Sequence, residues 1–328
     1  MNEADILQLK KLYELSFDDS PEYVDYFFNC KTDLDRVVFR KWNGKIVSAL
    51  HLIEKPFSLR GAEFCCPFIV AAATLPELRG KRLLEGVMAD AFRRIDRDGG
   101  SFTVLYPFSH SYYLKYGFAT YTGRAEKVLD GTGTRQVKAV PCGKERAETF
   151  AEIYRKFSDG KTGFVLRDVK WFGKQWEEWN ADGNKTYLLY TDRPVAYLAI
   201  GKGGVAEYCG DFEDLNSLPL KGLKVELPYG TLEGDQVRIV NPQRLMEKIT
   251  YDGDGIVEFF LKDEFYPENT GGYRLTVTNR QGKLIRTETS EKTVIDVATF
   301  AQIVFGYREH EAFLPVLRKK ETFCFDKF

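Results

Sequence analysis

Apolar residues at Ile6, Leu7, Leu12 and Leu15 fall near helical spacing and predict a first helix over 4–16. The runs VVFRKW (37–42) and KIVSALHLI (45–53) flank Asn43-Gly44. That pair takes the positive φ angles of a type I′ turn, so the two runs predict a hairpin. A third strand over 62–74 follows another turn at Arg60-Gly61. Next, Leu83, Leu84, Val87, Met88, Ala91, Phe92 and Ile95 share one face of an amphipathic helix. FTVLY (102–106) reads as a buried strand, SYYLKY as a short helix and GFATYT as a strand. A weak echo follows, with a helical stretch over 145–159 and strand, tight turn, strand over 186–201. From about 221 the pattern changes to QVRIV, a helix started by Asn241-Pro242, strands at IVEFFLKD, GYRLTVTN, KLIRTET and KTVIDV, and a helix over 299–307. The pattern predicts an α+β chain with an echo over 145–201 and a change of character from about 221.

A length of 328 residues agrees with two or three domains, and 44% hydrophobic with 14% aromatic residues is enough for real cores. Lys+Arg number 47 against 48 Asp+Glu, a net charge of -1, which excludes the basic footprint of a general nucleic-acid binder. No apolar run approaches the roughly 18 residues of a membrane span. The start, MNEADILQLKK, lacks the basic-then-apolar order of a signal peptide, so a cytoplasmic protein is expected. The six cysteines include no C-x-x-C pair and are expected to be reduced, buried thiols. His51, His110 and His310 are too scattered for a zinc site, and no G-x-S-x-G elbow is present.

The segment with chemical content is ATLPELRGKRLL (73–84), where a strand runs into a basic turn and then a helix. A helix start carries unpaired N–H groups and partial positive charge, which suits a pyrophosphate. Gly80 permits close backbone approach, and Arg79, Lys81 and Arg82 add charge. The segment is neither a Walker loop nor G-x-G-x-x-G, and by itself it also reads as a solvated basic helix start.

Downstream comes YYLKYGFAT, a tyrosine-rich helix ending in Gly-Phe. Helix, meander, basic strand-to-helix turn, strand and Y-x-x-x-G-F in this order resemble the Gcn5-related N-acetyltransferases. Their signature R-x-x-G-x-G/A stands here as Arg79-Gly80-Lys81-Arg82-Leu83-Leu84, with Arg82 and Leu84 as departures. Leu84 is similar to the Eis-type (enhanced intracellular survival) branch, as are the SFDD segment (16–19) and the aromatic terminus Phe328.

The Eis-type resemblance implies a GNAT acetyltransferase fold over 1–125, a degenerate second GNAT-like domain over 126–218, and a sterol-carrier-protein-like domain over 219–328. It also implies acetyl-CoA as cosubstrate, no metal, a small-molecule or peptide amine as acceptor, and a homo-oligomer. By the same resemblance Tyr113 is the general acid, and the terminal carboxylate of Phe328 accepts the proton of the attacking amine. Ala72, Ala73 and Thr74 form the strand that pairs with the pantetheine arm, and Arg79, Gly80, Lys81, Arg82, Leu83 and Leu84 hold the pyrophosphate. Asp19 matches an acid that contacts cationic substrates, although a plain helix cap fits that position equally. Trp171, Trp176 and Trp179 form either a substrate-facing stripe or a packed helix face, and the third segment's aromatics either a core or a lipid pocket. The contrasting reading, argued from Arg82, is a non-catalytic small-molecule or lipid binder with a vestigial acetyltransferase fold.

Overall fold

The computed structural model describes residues 1–288 and 293–326. The first segment runs α1 (Glu3–Glu14), α2 (Pro21–Tyr26), β1 (Val37–Trp42), β2 (Lys45–Leu59), β3 (Ala62–Thr74), α3 (Leu83–Arg97), β4 (Phe102–Leu105), α4 (His110–Leu114), β5 (Ala119–Thr120) and β6 (Gly123–Val128). The second holds β7 (Lys138–Cys142), α5 (Ala147–Ser158), β8 (Phe164–Val165), α6 (Val169–Ala181), β9 (Lys185–Tyr190), β10 (Pro194–Gly201), β11 (Gly204–Cys209) and α7 (Phe212–Asn216). The third holds β12 (Lys224–Glu233), β13 (Gln236–Ile239), α8 (Pro242–Lys248), β14 (Gly255–Lys262), β15 (Gly271–Thr278), β16 (Gln281–Thr287), β17 (Val294–Asp296) and α9 (Val297–Phe305).

The hairpin forms as its sequence dictates, with Asn43 at φ 49° and Gly44 at φ 76° closing β1 on β2. Asn241 caps α8 by accepting the Arg244 N–H at 2.8 Å. The first sheet has the order β1-β2-β3-β4-β13-β5, with β8 attached to β2. Gln236–Ile239, assigned by sequence to the third segment, is therefore hydrogen-bonded between β4 and β5 of the first. One face of this sheet carries α3, whose Val87, Met88, Ala91 and Phe92 are buried against Leu50, Leu52 and Leu105. Its other face is shared by α1 and the third segment in one continuous core.

The second segment's sheet, β11-β10-β9-β7, packs on α5 and α6 around Phe150, Trp176 and Tyr197. In the third segment Phe259, Phe300 and Phe313 lie 5.2 to 6.0 Å apart, so these aromatics form a core. The expectation of buried thiols is corrected for Cys30 and Cys65, which are exposed. Successive residues of β3 face opposite ways, so Cys66 is buried where Cys65 is not. No helix among the described residues is long and apolar enough to cross a membrane.

Candidate active site

Strand β3 organises the site. One of its edges pairs with β2 from Ala62 to Thr74 apart from a bulge, and among the described residues the other meets β4 only at Phe68↔Val104. Among the described residues that second edge has no strand partner from Ile69 to Thr74, which leaves backbone groups open to an extended amide ligand. A bulge sits in this stretch. His51 faces Val70 and Ala49 faces Ala73, so Leu50 stands opposite two residues, and Ala71 takes φ 51°. Beyond it, Thr74 Oγ1 lies 2.9 Å from Ser48 Oγ, and Arg79 Nε donates to the Thr74 carbonyl at 3.2 Å.

The chain then passes a single 3-10 turn at Pro76–Leu78 and enters α3 through Gly80 (φ 80°) and Arg82 (φ 57°, ψ 22°). A methyl group at Gly80 would meet nothing within 4 Å, so the backbone angle and not crowding favours glycine there. Arg82 stands where the family signature has glycine and adopts the left-handed conformation that glycine takes without strain, at a cost of about 1–2 kcal/mol. The Arg82 side chain makes no cap bond to α3, and although the Glu85 N–H donates to the Arg82 carbonyl at 3.2 Å, a helix start of this kind suits an anion, with Arg79, Lys81 and Arg82 exposed around it.

Tyr113 lies on α4, directly after β4. It is 5% exposed and packs with Phe118, Tyr112 and Phe108 at 5.8, 5.2 and 5.6 Å, in the same cluster as Leu84 and Met88. Burial, reinforced by Tyr112, pushes its hydroxyl well above the usual phenol range and keeps it protonated. His110 is occupied structurally, with Nε2 2.7 Å from the Gly234 carbonyl.

On the opposite side of β3 a cavity of about 400 Å³ opens, with Val70 and Ala71 in its lining. Asp18, Asp19, Glu178 and Asp182 make its acidic wall. The Tyr13 hydroxyl donates to Asp19 Oδ2 at 2.6 Å, and Lys31 donates to Glu178 at 2.6 Å. A neighbouring cavity of about 630 Å³ shares Asp182, Asn184 and Ala206 with it and adds Glu22.

The inner lining holds a buried ion network drawn from all three segments. Asp326 accepts from Lys55 at 2.5 Å and from Arg167 at 3.0 Å, and Arg167 also reaches Glu207 at 2.6 Å. The Arg167 guanidinium stacks on Trp171 with its carbon 4.0 Å from the ring centre. Burial by itself would raise the Asp326 carboxyl, but Arg167 and Lys55 outweigh it and hold it down to about 2.

The structure thus sorts the sequence-predicted residues around β3. Ala72 packs against the cluster holding Tyr113 and Leu84, Ala73 is buried in the core on the other face, and Asp19 lines the acidic cavity. Leu83 begins α3. Phe328 lies outside the described residues, while Phe325 and Asp326 line the cavity. Trp176 and Trp179 are packed in the second core, and Trp179 also faces the cavity. Sequence reasoning missed Lys55, Arg167, Glu178 and Asp326. Two of them carry a readable signal, a charge set directly against an apolar run in GFVLRDV and FCFDKF.

Asp235 lies behind the network. Its backbone N–H donates to Thr122 Oγ1 at 2.7 Å, Thr122 Oγ1 donates to its Oδ2 at 3.1 Å, and its Oδ1 has no partner among the described residues. Burial is the main cause that raises its carboxyl to about 7, against the pull of the Thr122 bond and with help from Asp326. A folded-state value above the unfolded one favours the fold fully at low pH, and this advantage is lost as pH rises through about 7. Asp235→Asn is therefore expected to exceed the parent in stability by about 1–3 kcal/mol at pH 8, the gap narrowing toward pH 4. Urea unfolding at both pH values checks this, and a gap that widens on acidification contradicts it.

Residues 1–121 match the family described as Acetyltransferase (GNAT) domain, and residues 242–314 match the Sterol carrier protein domain. No curated protein matches the chain. Among solved structures, a probable N-acyltransferase of unknown function from Enterococcus faecalis is 18% identical with a TM-score of 0.81, over 100% of this chain and 98% of that one. A GCN5-related N-acetyltransferase from Anabaena variabilis is also 18% identical over the same shares, with a TM-score of 0.76. Eis1 from Mycobacterium abscessus is 15% identical with a TM-score of 0.75, again over 100% of this chain and 98% of that one. These likenesses span all three segments and establish a shared fold.

Proposed function

As a member of the GNAT acetyltransferase family that carries a sterol carrier protein domain toward its carboxyl end, this chain, we propose, transfers acetyl from acetyl-CoA to an amine of a cationic acceptor. The observation that carries this reading is the double use of β3. Its unpaired edge leads into the uncapped start of α3, while its bulge lines the acidic cavity.

In this reading the open backbone at Ala72, Ala73 and Thr74 binds the pantetheine amides, and the turn from Arg79 to Leu84 binds the pyrophosphate through N–H groups and side-chain charge. Asp18, Asp19 and Asp182 draw a positively charged acceptor into the cavity, so that a bimolecular encounter becomes an oriented approach. Tyr113 delivers a proton to the departing thiolate. The proton of the attacking amine goes to the terminal carboxylate assigned by resemblance to Phe328. The same resemblance carries the expectation of a homo-oligomer.

Calorimetric titration with acetyl-CoA, followed by a screen of amines, peptides and aminoglycosides, tests the reading. Gly80→Asp places a carboxylate beside the anion site at a position with open space around it. It is expected to weaken CoA binding by about 1–3 kcal/mol without loss of fold. Parental affinity in the folded variant would move the cofactor elsewhere.

A further inference from the structure

The second segment contains a separate cavity of about 530 Å³, lined by parts of α5, the β9–β10 turn, the end of β11 and β12. Its chemistry is the reverse of the acidic cavity. Lys156, Lys161 and Arg193 face it, and of its two acids Asp211 is taken up by Arg135 at 2.8 Å. Glu321 stands 3.8 Å from Lys161, whereas Lys156 and Arg193 are exposed and have no ion pair among the described residues. Two aromatic rings, Phe157 and Tyr229, share this lining with the cations, 6.4 Å apart and inclined by 33°. A flat ring would bury against these faces while an attached anion met the cations.

The lining also touches the carboxy-terminal segment. Glu321 belongs to this cavity, and its carbonyl accepts the Thr162 N–H at 2.9 Å. Phe157 packs on Phe323 and Phe325 at 5.1 and 5.4 Å. Phe325 and Asp326 in turn line the acidic cavity. Residues 321–326 therefore run from one cavity to the other.

We propose that this second cavity binds an aryl phosphate, and that its occupancy is sensed by the 321–326 segment. Arg193 and Lys156 hold the phosphate, Phe157 and Tyr229 hold the ring, and the ligand fixes Phe157 against Phe323 and Phe325.

The test uses the full chain and 4-methylumbelliferyl phosphate as probe, followed by fluorescence, with inorganic phosphate and 4-methylumbelliferone as half-ligands. Saturable binding of one probe per chain is expected, with each half-ligand weaker. The double variant Lys156→Glu/Arg193→Glu should lose affinity by about tenfold or more, and Gly80→Asp should leave it unchanged. With probe bound, the amides of Phe323 to Asp326 should exchange hydrogen more slowly. Absent saturation, or equal affinity in the double variant, overturns the site. A probe displaced by Gly80→Asp assigns it to the α3 turn and also overturns the site. Binding with unchanged exchange at 323–326 overturns the sensing. Neither readout involves acyl transfer, so these failures stand apart from that of the acetyltransferase reading.

Discussion

Tyr113→Phe is expected to cut turnover roughly 10²–10⁴-fold, the range for a lost general acid, with acetyl-CoA affinity within a few-fold of the parent. The substitution removes one oxygen from a ring held by Phe108, Tyr112 and Phe118. That hydroxyl makes no side-chain hydrogen bond among the described residues, so its loss opens no unsatisfied partner and the fold should persist. Burial keeps the phenol protonated across the working pH range, as a donor to a thiolate requires. Steady-state kinetics beside thermal melting checks both halves. A Tyr113→Phe enzyme with parental kcat would transfer the role to Tyr112 or to water.

The largest stability effect is expected at Arg167. Its side chain is 1% exposed and joins Glu207 and Asp326, themselves 7% and 2% exposed. Arg167→Met keeps much of the volume but removes the cation, leaving two buried carboxylates of which only Asp326 retains a cation, Lys55. Removing one member of a buried ion pair costs about 3–5 kcal/mol at neutral pH. In the parent, the depressed carboxyl of Asp326 stabilises the fold above the ordinary carboxylate range, and this contribution fades as pH falls toward about 2. Without Arg167 the buried carboxyls rise, so the deficit should shrink between pH 7 and pH 5. Adding Glu207→Gln should recover part of it. Urea unfolding reads all three, and a deficit under about 1 kcal/mol at pH 7 would show that the network is energetically idle.

What the sequence disclosed was local. Asn43-Gly44, the apolar stripe of α3 and the cap at Asn241 each act within a few residues, so pattern and turn chemistry identify them. The strand-to-helix turn proposed to hold the cofactor could be picked out for the same reason, since strand, Gly80 and helix are contiguous. Asp19 was found by resemblance within SFDD, and Trp179 was named for a substrate-facing stripe, whereas Lys55, Arg167, Glu178 and Asp326 were not found. Lys55 and Asp326 are 271 positions apart, and Arg167 and Asp326 are 159 apart. No periodicity reports that such residues meet, because their encounter is decided by how three segments pack. The left-handed turn at Arg82 was likewise hidden, since only a glycine would have advertised it.

The placement of Gln236–Ile239 between β4 and β5 also bears on how the chain is made. A nascent chain that has emerged only through residue 121 holds β4 and β5 without the strand that joins them. Their hydrogen-bonding edges stay open, and the apolar face of β4 waits for cover, until synthesis has advanced by more than a hundred residues. The acetyltransferase-family portion is thus not a unit that can be excised at its own boundary. Its sheet closes only once Gln236–Ile239 is available to join β4 and β5.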